Sequence, residues 1–364
     1  MRVALLAGNA PRHNAVGNQL AEKVRFFQER GAEVRLFVQD ARWLHPDVQA
    51  CCALVPEPRA DGPVWDYLRH ADLVFAVYAQ YHDLLQYLPR LAGTGPRIIL
   101  EYLGVTPPEL WPDQHREGLE QSVRQRGYVW CADHALTISQ ASRRELLEAT
   151  HFPAAHATTL PLVGDSQRFS HEPRDRPVGR ICNPSGLLRT DCKSVLRQRY
   201  LQKKLGIDGP ILLFVGRLAG NKRVPLLIEA LARLNHPSVH AAIVGDFHDV
   251  YAAEEARCKA LAHRLGVAER LHFLGQLDDD ELPRAYQCAD VLVVPSLHEG
   301  FCVPVIEAMA SGLPVIASRS AALPEAVGAA GLTFTPDDVE DLVRQLRRVL
   351  FDAPAQGRET QPRR

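Results

Sequence analysis

The sequence predicts an α/β protein with two doubly wound, Rossmann-like domains in tandem, each built on a parallel sheet covered by helices on both faces. Short apolar runs rich in β-branched residues alternate with helical patterns in both halves of the chain, which is typical of βαβ units. The 364 residues, 46% of them apolar, are enough for two domains. The predicted boundaries are residues 1–166 for the first domain, 167–208 for a basic linker, 209–350 for the second domain and 351–364 for a polar tail.

The first domain opens with a strand and then an amphipathic helix that ends at Gly31. Its strands are predicted at residues 2–7, 33–38, 73–77 and 97–101, and its first helix at 18–30. The second domain repeats this alternation of strand and helix. Its strands are predicted at residues 211–215, 240–244, 271–274, 291–294 and 315–317, with helices at 224–234, 254–265 and 337–350.

The segment that joins the two domains is strongly basic. Residues 168–204 contain ten Lys or Arg and three Asp or Glu, hence a local charge of +7. This pattern fits a solvated linker with a surface helix, and it also fits a basic surface for an anionic ligand or lipid headgroup. Residues 184–193 within the segment match neither a helix nor a strand.

Composition and charge exclude several classes of protein. The formal net charge of −1 gives no general attraction to nucleic acid, so no nucleic-acid partner is expected. The stretch MRVALLAG is too short for a signal peptide, and no apolar run reaches the roughly 18 residues of a membrane span. The eight cysteines contain no CxxC pair, which disfavours a zinc site and indicates reduced thiols. We expect a cytoplasmic protein, with peripheral contact at the inner face of a membrane left open.

A candidate phosphate loop opens the second domain in the stretch ILLFVGRLAGNKRVPLLIEAL. A predicted strand leads into Gly216 and a polar loop, and a helix follows. Ligands of doubly wound sheets bind at the carboxyl ends of strands, and two cations beside a helix start suit a diphosphate. Arg217 and Lys222 are those cations, although two exposed basic residues on a turn would give the same pattern. No G-x-G-x-x-G follows the first strand of either domain, which argues against a nicotinamide or flavin site.

Two glutamates eight positions apart lie in the stretch PSLHEGFCVPVIEAMASGLPVIAS. Glu299 falls in a loop after a buried strand, and Glu307 falls on the helix that Pro304 opens and Gly312 ends. Free amides at that helix start, around residues 301–303, attract a phosphate, while a carboxylate suits the vicinal hydroxyls of a sugar or ribose. Glu307 could instead merely complement the helix dipole.

These stretches carry a specific resemblance. HEGFCVPVIEAMASGLPVIAS resembles the E-x7-E signature of retaining glycosyltransferases of family 4, and VGRLAGNKRVPLLIEAL resembles their phosphate loop. IVGD, LHFLGQL and YQCADVLVVPS stand between them in the family's order, so the resemblance covers nearly all of residues 209–350. Residues 1–166 match more loosely, through GVTPPELW and CADHALTISQASRREL. The resemblance implies the GT-B architecture, in which the two domains face a central cleft, with the first domain on the acceptor side.

The resemblance also implies roles for individual residues. Glu307 would hold the ribose of a UDP- or GDP-sugar donor, and the two cations of the loop would neutralise its diphosphate. Glu299, the candidate catalytic residue, would act on the transferred sugar with the backbone amides beside it. The donor-binding residues are thus Arg217, Lys222, Gly300, Phe301, Cys302, Val303 and Glu307.

Such an enzyme needs no metal and no other cofactor, because the two cations take the metal's part. Transfer to a glycan, a lipid-linked or a small-molecule acceptor would retain the anomeric configuration by front-face attack, and no side chain serves as nucleophile. Gly17 and His13 are the acceptor-side candidates. Leu103 stands where family members often carry a histidine that faces the donor. The loop after the first strand, which in the family usually faces the acceptor, has only Gly17 in a plausible place, so the acceptor side is the less well matched half.

Two other functions fit the same residues. One is a nucleotide-sugar epimerase or hydrolase on the GT-B fold, which would need a general base at the sugar ring. The other is a non-catalytic subunit that binds nucleotide-sugars. Incubation with labelled nucleotide-sugars separates all three, because an epimer, a free sugar and a transferred product are different outcomes.

Overall fold

The computed structural model describes residues 1–12, 15–111, 116–162, 166–169, 200–248 and 251–352. The chain forms two compact units. The first contains Met1–Gly164, Leu297–Val303 and Ser320–Ala326, and the second contains Asp165–Ser296, Pro304–Arg319 and Val327–Arg364. Most of the predicted linker, including residues 184–193, lies outside the described residues, as do residues 353–364 of the predicted tail. The predicted domain boundaries and the basic surface therefore stay predictions.

The first unit contains a seven-stranded sheet in which every pairing is parallel. Its order is β3-β2-β1-β4-β5-β6-β7. The strands are β1 Arg2–Asn9, β2 Glu33–Asp40, β3 Cys52–Leu54, β4 Leu73–Tyr78, β5 Arg97–Tyr102, β6 His134–Thr137 and β7 Ala157–Thr159. The helices are α1 Ala15–Glu29, α2 Gly62–Arg69, α3 Leu88–Leu91, α4 Arg116–Arg124 and α5 Gln140–Thr150.

The second unit contains a six-stranded sheet, again with parallel pairings throughout. Its order is β10-β9-β8-β11-β12-β13. The strands are β8 Ile211–Val215, β9 His240–Val244, β10 Leu271–Gly275, β11 Val291–Val294, β12 Val315–Ser318 and β13 Leu332–Phe334. The helices that follow along the chain are α6 Ser166–Phe169, α7 Tyr200–Leu205, α8 Val224–Leu234, α9 Ala252–Arg264, α10 Glu281–Cys288, α11 Val303–Ala310, α12 Leu323–Val327 and α13 Val339–Leu350. Of these, α12 lies mainly in the segment Ser320–Ala326 of the first unit.

Helices cover both faces of the first sheet, as the sequence pattern predicts. Alternate residues of β1 point to opposite faces and enter two separate apolar clusters. Ala4 and Leu6 pack on one face with Leu68 of α2, while Leu5 packs on the other with Leu20 of α1. The predicted fold class, two doubly wound Rossmann-like sheets, is confirmed.

Strand order places a switch point in each sheet. In the second unit the switch point lies between β8 and β11. From β8 the strands continue outward through β9 and β10 on one side, and from β11 through β12 and β13 on the other. In the first unit β1 and β4 form the corresponding pair. Ligands of open α/β sheets bind outside the carboxyl ends of strands at such a point. The loop after β8 therefore lies where the second unit would bind a ligand.

Candidate active site

The candidate phosphate loop follows β8, as predicted. Four of the five residues of β8 are buried, so the strand is fixed, and the chain then turns through a 3-10 turn at Gly220–Lys222 into α8. Arg223, the residue before α8, has a left-handed backbone with φ 53°, and Pro225 occupies the first turn of the helix. Proline costs nothing there, because the N–H that it lacks would have no partner in the helix. The loop is thus held between a buried strand and a well-formed helix.

Arg217 and Lys222 occupy this loop at different depths. Arg217 is exposed, and its Nη1 donates to the Tyr251 hydroxyl at 3.1 Å, with the guanidinium carbon 5.9 Å from the centre of that ring. Lys222 is partly buried and its backbone N–H donates to the Ala219 carbonyl at 2.9 Å. Tyr251 is thus a residue of the loop's surroundings that sequence reasoning missed. It stands 34 residues away and carries no motif.

Glu307 lies on α11, the helix that follows β11. The Tyr286 hydroxyl on α10 donates to Glu307 Oε2 at 2.6 Å. Burial raises the pKa of Glu307, and the Tyr286 hydrogen bond and the charge of Arg168 offset part of that rise. Tyr286 itself is completely buried, with its ring 5.6 Å from that of Phe169 in an edge-on contact. The carboxyl of Glu307 is therefore held in one orientation by a rigid neighbour.

The segment Leu297–Val303, which contains Glu299, packs within the first unit. The Glu299 carbonyl accepts a hydrogen bond from the Ala322 N–H at 3.3 Å. A β-carbon on Gly300 would lie 1.9 Å from the Leu103 carbonyl oxygen, so this position admits only glycine without a shift of the backbone. Phe301 packs against the apolar cluster that contains Leu103. Three consecutive residues thus fix the loop at its backbone and at one ring.

Cys302 has a left-handed backbone with φ 78° and is buried. A residue with a β-carbon in this region costs of order 1–3 kcal/mol, and such strain clusters at functional sites. Val303 begins α11, so the amides at this helix start are the ones that the sequence predicts for an anion. Pro304 lies in the first turn, as predicted.

A hydrogen-bonded cluster that the sequence did not predict lies beside Glu299. His298 Nε2 is 3.3 Å from Glu145 Oε2, and Glu145 Oε1 accepts from the Tyr102 hydroxyl at 2.6 Å and from Arg126. These residues come from β5, α5, a 3-10 helix and the loop, and no local pattern in the sequence relates them. The only available signal was the histidine next to Glu299.

The acceptor-side candidates are only partly described. Gly17 is buried in the first turn of α1, where an added β-carbon would lie 2.0 Å from the Pro11 carbonyl oxygen. His13 lies outside the described residues. Leu103, at the position where related glycosyltransferases often carry a histidine, is 9% exposed, and its N–H donates to the Tyr78 carbonyl at 2.9 Å. Its side chain belongs to the core.

Within the described part of the chain, no group of three or more His, Cys, Asp and Glu side chains is arranged to hold a metal ion. No helix among those residues is both long and apolar enough to cross a membrane.

The chain is similar to known glycosyltransferases in sequence and in fold. Residues 198–361 match the family model of glycosyl transferases group 1. The chain is 27% identical to O-antigen chain mannosyltransferase B of Escherichia coli over 324 residues, which are 87% of this chain and 72% of that protein. It is 45% identical to MMP alpha-(1->4)-mannosyltransferase of Mycolicibacterium hassiacum over 101 residues, 27% of this chain and 24% of that protein. The crystal structure of Anabaena Alr3699/HepE in complex with UDP-glucose superposes with a TM-score of 0.71 at 20% identity, covering 94% of this chain and 88% of that chain.

The two sheets and the structural superposition show the GT-B fold. Residues 198–361, which are under half of the chain, are similar to glycosyl transferases group 1, and the similarity to mannosyltransferases supports an enzyme of the hexosyltransferase type. The match to the E. coli protein spans most of that relative, whereas the match to the M. hassiacum protein spans a quarter of its length. The donor, the acceptor and the stereochemistry of transfer are therefore matters for proposal.

Proposed function

We propose that the protein is a retaining glycosyltransferase of family 4 that moves a hexose from a UDP- or GDP-sugar to a glycan, a lipid-linked or a small-molecule acceptor. The single observation that carries the proposal is the placement of Glu307. Glu307 lies on α11, the helix that follows the switch-point strand β11, and the Tyr286 hydroxyl orients its carboxyl. The neighbouring strand, β8, leads into the loop with Arg217 and Lys222.

Each residue then has a defined task. Glu307 accepts hydrogen bonds from the ribose hydroxyls, and Arg217 and Lys222 neutralise the diphosphate. The amides of residues 300–303 stabilise charge on the departing phosphate, since fixed donors act most strongly where charge develops. Glu299 contacts hydroxyls of the transferred sugar. The acceptor attacks from the face that the phosphate leaves, and the phosphate takes the acceptor proton, so the configuration is retained and no side chain forms a covalent bond.

The two cations make a metal unnecessary in this proposal. Localisation in the cytoplasm, with peripheral contact at a membrane when the acceptor is lipid-linked, is also part of the proposal and rests on composition alone. Gly17 and the loop after β1 would face the acceptor.

Labelled GDP-mannose and UDP-glucose test the proposal, and the mannose donor comes first because two relatives are named as mannosyltransferases. Transfer of label to an acceptor pool, with release of the nucleotide diphosphate and undiminished rate in excess EDTA, is the expected result. Release of free sugar without transfer would favour a hydrolase, and an altered nucleotide-sugar would favour an epimerase. Binding with no turnover in any acceptor pool would favour a non-catalytic subunit.

A further inference from the structure

Glu145 is a partly buried charged residue that has no task in the proposed reaction. It lies on α5 with its side chain 24% exposed. Both of its oxygens are engaged by residues from other elements: Oε1 by the Tyr102 hydroxyl at 2.6 Å and by Arg126, and Oε2 by His298 at 3.3 Å. A buried carboxylate is costly unless it is paired and hydrogen-bonded. The convergence of three partners satisfies that requirement.

In the contact between His298 and Glu145, the histidine is the hydrogen-bond donor. Burial alone would raise the pKa of Glu145, but hydrogen bonds from His298 and Tyr102 and the charge of Arg126 outweigh it, so that the pKa is lowered. An ionised carboxylate only accepts hydrogen bonds. Nε2 of His298 therefore carries the proton in this contact. The His298 side chain is 12% exposed, so the hydrogen bond is largely shielded from water.

His298 directly precedes Glu299, and this position gives the contact its consequence. Beyond His298, the loop is fixed by the Ala322 N–H on the Glu299 carbonyl, by the close approach of Gly300 to Leu103, and by the packing of Phe301. The His298 side chain fixes the loop on the amino-terminal side of Glu299. Glu299 thus lies between two fixed points, and one of them depends on Glu145.

Helix α5 also carries a second contact of the same kind. The Glu325 carboxylate of α12 accepts from the Gln140 N–H at 3.0 and 2.8 Å, at the first turn of α5. Negative charge at a helix start is favourable. Both of these segments of the first unit are thus bound to α5. The segment 297–303 is bound through Glu145, and the segment 320–326 through Glu325.

We propose that Glu145 is a positioning residue, which holds His298 and thereby fixes the orientation in which Glu299 is presented to the transferred sugar. This inference rests on the proposed function for its catalytic consequence. Without Glu145 the loop loses the hydrogen bond that fixes it before Glu299, while the contacts of Arg217, Lys222 and Glu307 in the second unit are unchanged. The turnover rate should therefore fall, and the affinity for the bare nucleotide diphosphate should stay the same.

The kinetic test compares Glu145→Gln with Glu148→Gln, a matched control on the exposed side of the same helix. With the nucleotide-sugar that the wild type consumes, Glu145→Gln should lower kcat by about tenfold or more, since misplacement near a reacting group is costly. The Kd of bare UDP or GDP should stay within about twofold, because uniform binding is retained. Glu148→Gln should match the wild type in both. Equal kcat in all three proteins would overturn the proposal.

A double variant shows whether Glu145 acts through His298. Glu145→Gln combined with His298→Gln should lose no more turnover than His298→Gln alone, because the contact through which Glu145 is proposed to act is already broken in the single variant. Additive losses would mean that Glu145 acts by another route. If Glu145→Gln fails to fold, His298→Gln breaks the same contact from the loop and takes its place in the kinetic comparison.

Hydrogen exchange tests the positioning without any turnover. Amides of residues 297–303 should exchange faster in Glu145→Gln than in the wild type and in Glu148→Gln, while peptides of β8 and α8 keep their rates. If the wild type consumes no nucleotide-sugar, the proposed function fails and this measurement still decides the positioning. Unchanged exchange in residues 297–303 would overturn the positioning even for an active enzyme.

Discussion

The Tyr286 hydroxyl donates a 2.6 Å hydrogen bond to Glu307 Oε2 from a ring that is completely buried. A carboxyl that burial has made harder to ionise is thus held by a neighbour that favours its charged form. Because Tyr286 cannot reorient without disturbing the core of the second unit, the pair forms a fixed acceptor for a ligand's hydroxyls. Nucleotide binding should therefore depend on a residue that would not touch the nucleotide.

Tyr286→Phe should weaken the bare nucleotide diphosphate as well as the donor. The change removes a hydrogen bond to a charged group, a contact worth about 1.5–3 kcal/mol, and raises the pKa of Glu307 further. Calorimetry with UDP and GDP measures the effect. Tyr87→Phe is the control, since it removes a buried hydroxyl that accepts from the Arg59 N–H in the first unit. Nucleotide affinity equal to that of the wild type would show that Tyr286 does not orient the acceptor.

The raised pKa of Glu307 makes a prediction about stability and pH. A carboxyl whose pKa is higher in the folded state than its ordinary 4.5 contributes stability below that value, and the contribution is lost as pH rises through the folded pKa. Glu307→Gln stays neutral throughout. Its thermal midpoint relative to the wild type should therefore be higher at pH 8 than at pH 4, as circular dichroism would measure. A difference that is independent of pH would contradict the raised pKa.

Lys222→Ala should weaken nucleotide diphosphate binding far more than nucleoside binding. A charge-assisted contact in a partly buried loop is worth roughly 1.5–3 kcal/mol, and the nucleoside lacks the group that Lys222 would contact. Calorimetry with both ligands provides the comparison. Lys259→Ala on α9 is the control, because that lysine pairs with Glu255 on the surface. Equal losses for the two ligands would argue against the phosphate assignment.

Gly17→Ala should destabilise the first unit by roughly 1–3 kcal/mol, since the new β-carbon would overlap the Pro11 carbonyl oxygen and force the backbone to move. Gly118→Ala on α4 meets no atom within 4 Å and should stabilise by roughly 0.5–1 kcal/mol, because alanine is the better helix residue. All four tryptophans lie in residues 1–164. Tryptophan fluorescence in urea therefore reports on this unit, and equal effects of the two changes would contradict the close approach at Gly17.

Much of the second unit could be predicted from the sequence because its elements are long, apolar and local. Strand β8 and helix α8 have the predicted bounds, since each is a continuous buried pattern between clear breaks. The short strands β3, β6, β7 and β13 were not predicted. Each has only three or four residues with partly exposed positions, too few to show a clear period of two.

The candidate site divides in the same way. The places of Arg217, Lys222, Glu299 and Glu307 in the fold could be predicted because each lies in the loop or helix that follows a buried strand, whereas their roles stay predictions. Tyr286 was not, because 21 residues separate it from Glu307, and Glu145 was not, because 153 residues separate it from His298. Such pairs form only when the sheets bring distant elements together. The left-handed backbone at Cys302 was equally hidden, since cysteine gives no signal for it.

Replacing Glu307 or Glu299 by alanine should affect different quantities, namely the affinity for the nucleotide and the turnover rate. Glu307 is mounted on α11 and oriented by Tyr286, a fixed arrangement suited to binding, whereas Glu299 lies in the loop that packs within the first unit. Glu307→Ala should weaken the bare nucleotide diphosphate and the donor alike, because both carry the ribose. Glu299→Ala should leave the bare nucleotide nearly unaffected and lower kcat with the sugar donor.

The reason for this split is the state in which each contact is made. A contact of equal strength in ground and transition states appears in KM, whereas one made mainly in the transition state appears in kcat. Calorimetry with the bare nucleotide and steady-state kinetics with the donor, on both variants, measure the two effects separately. Glu299→Gln serves as the conservative control, since it keeps the size of the side chain and removes its charge. Identical profiles for Glu299→Ala and Glu307→Ala would mean that the two glutamates share one task and that the spacing of eight carries no division of labour.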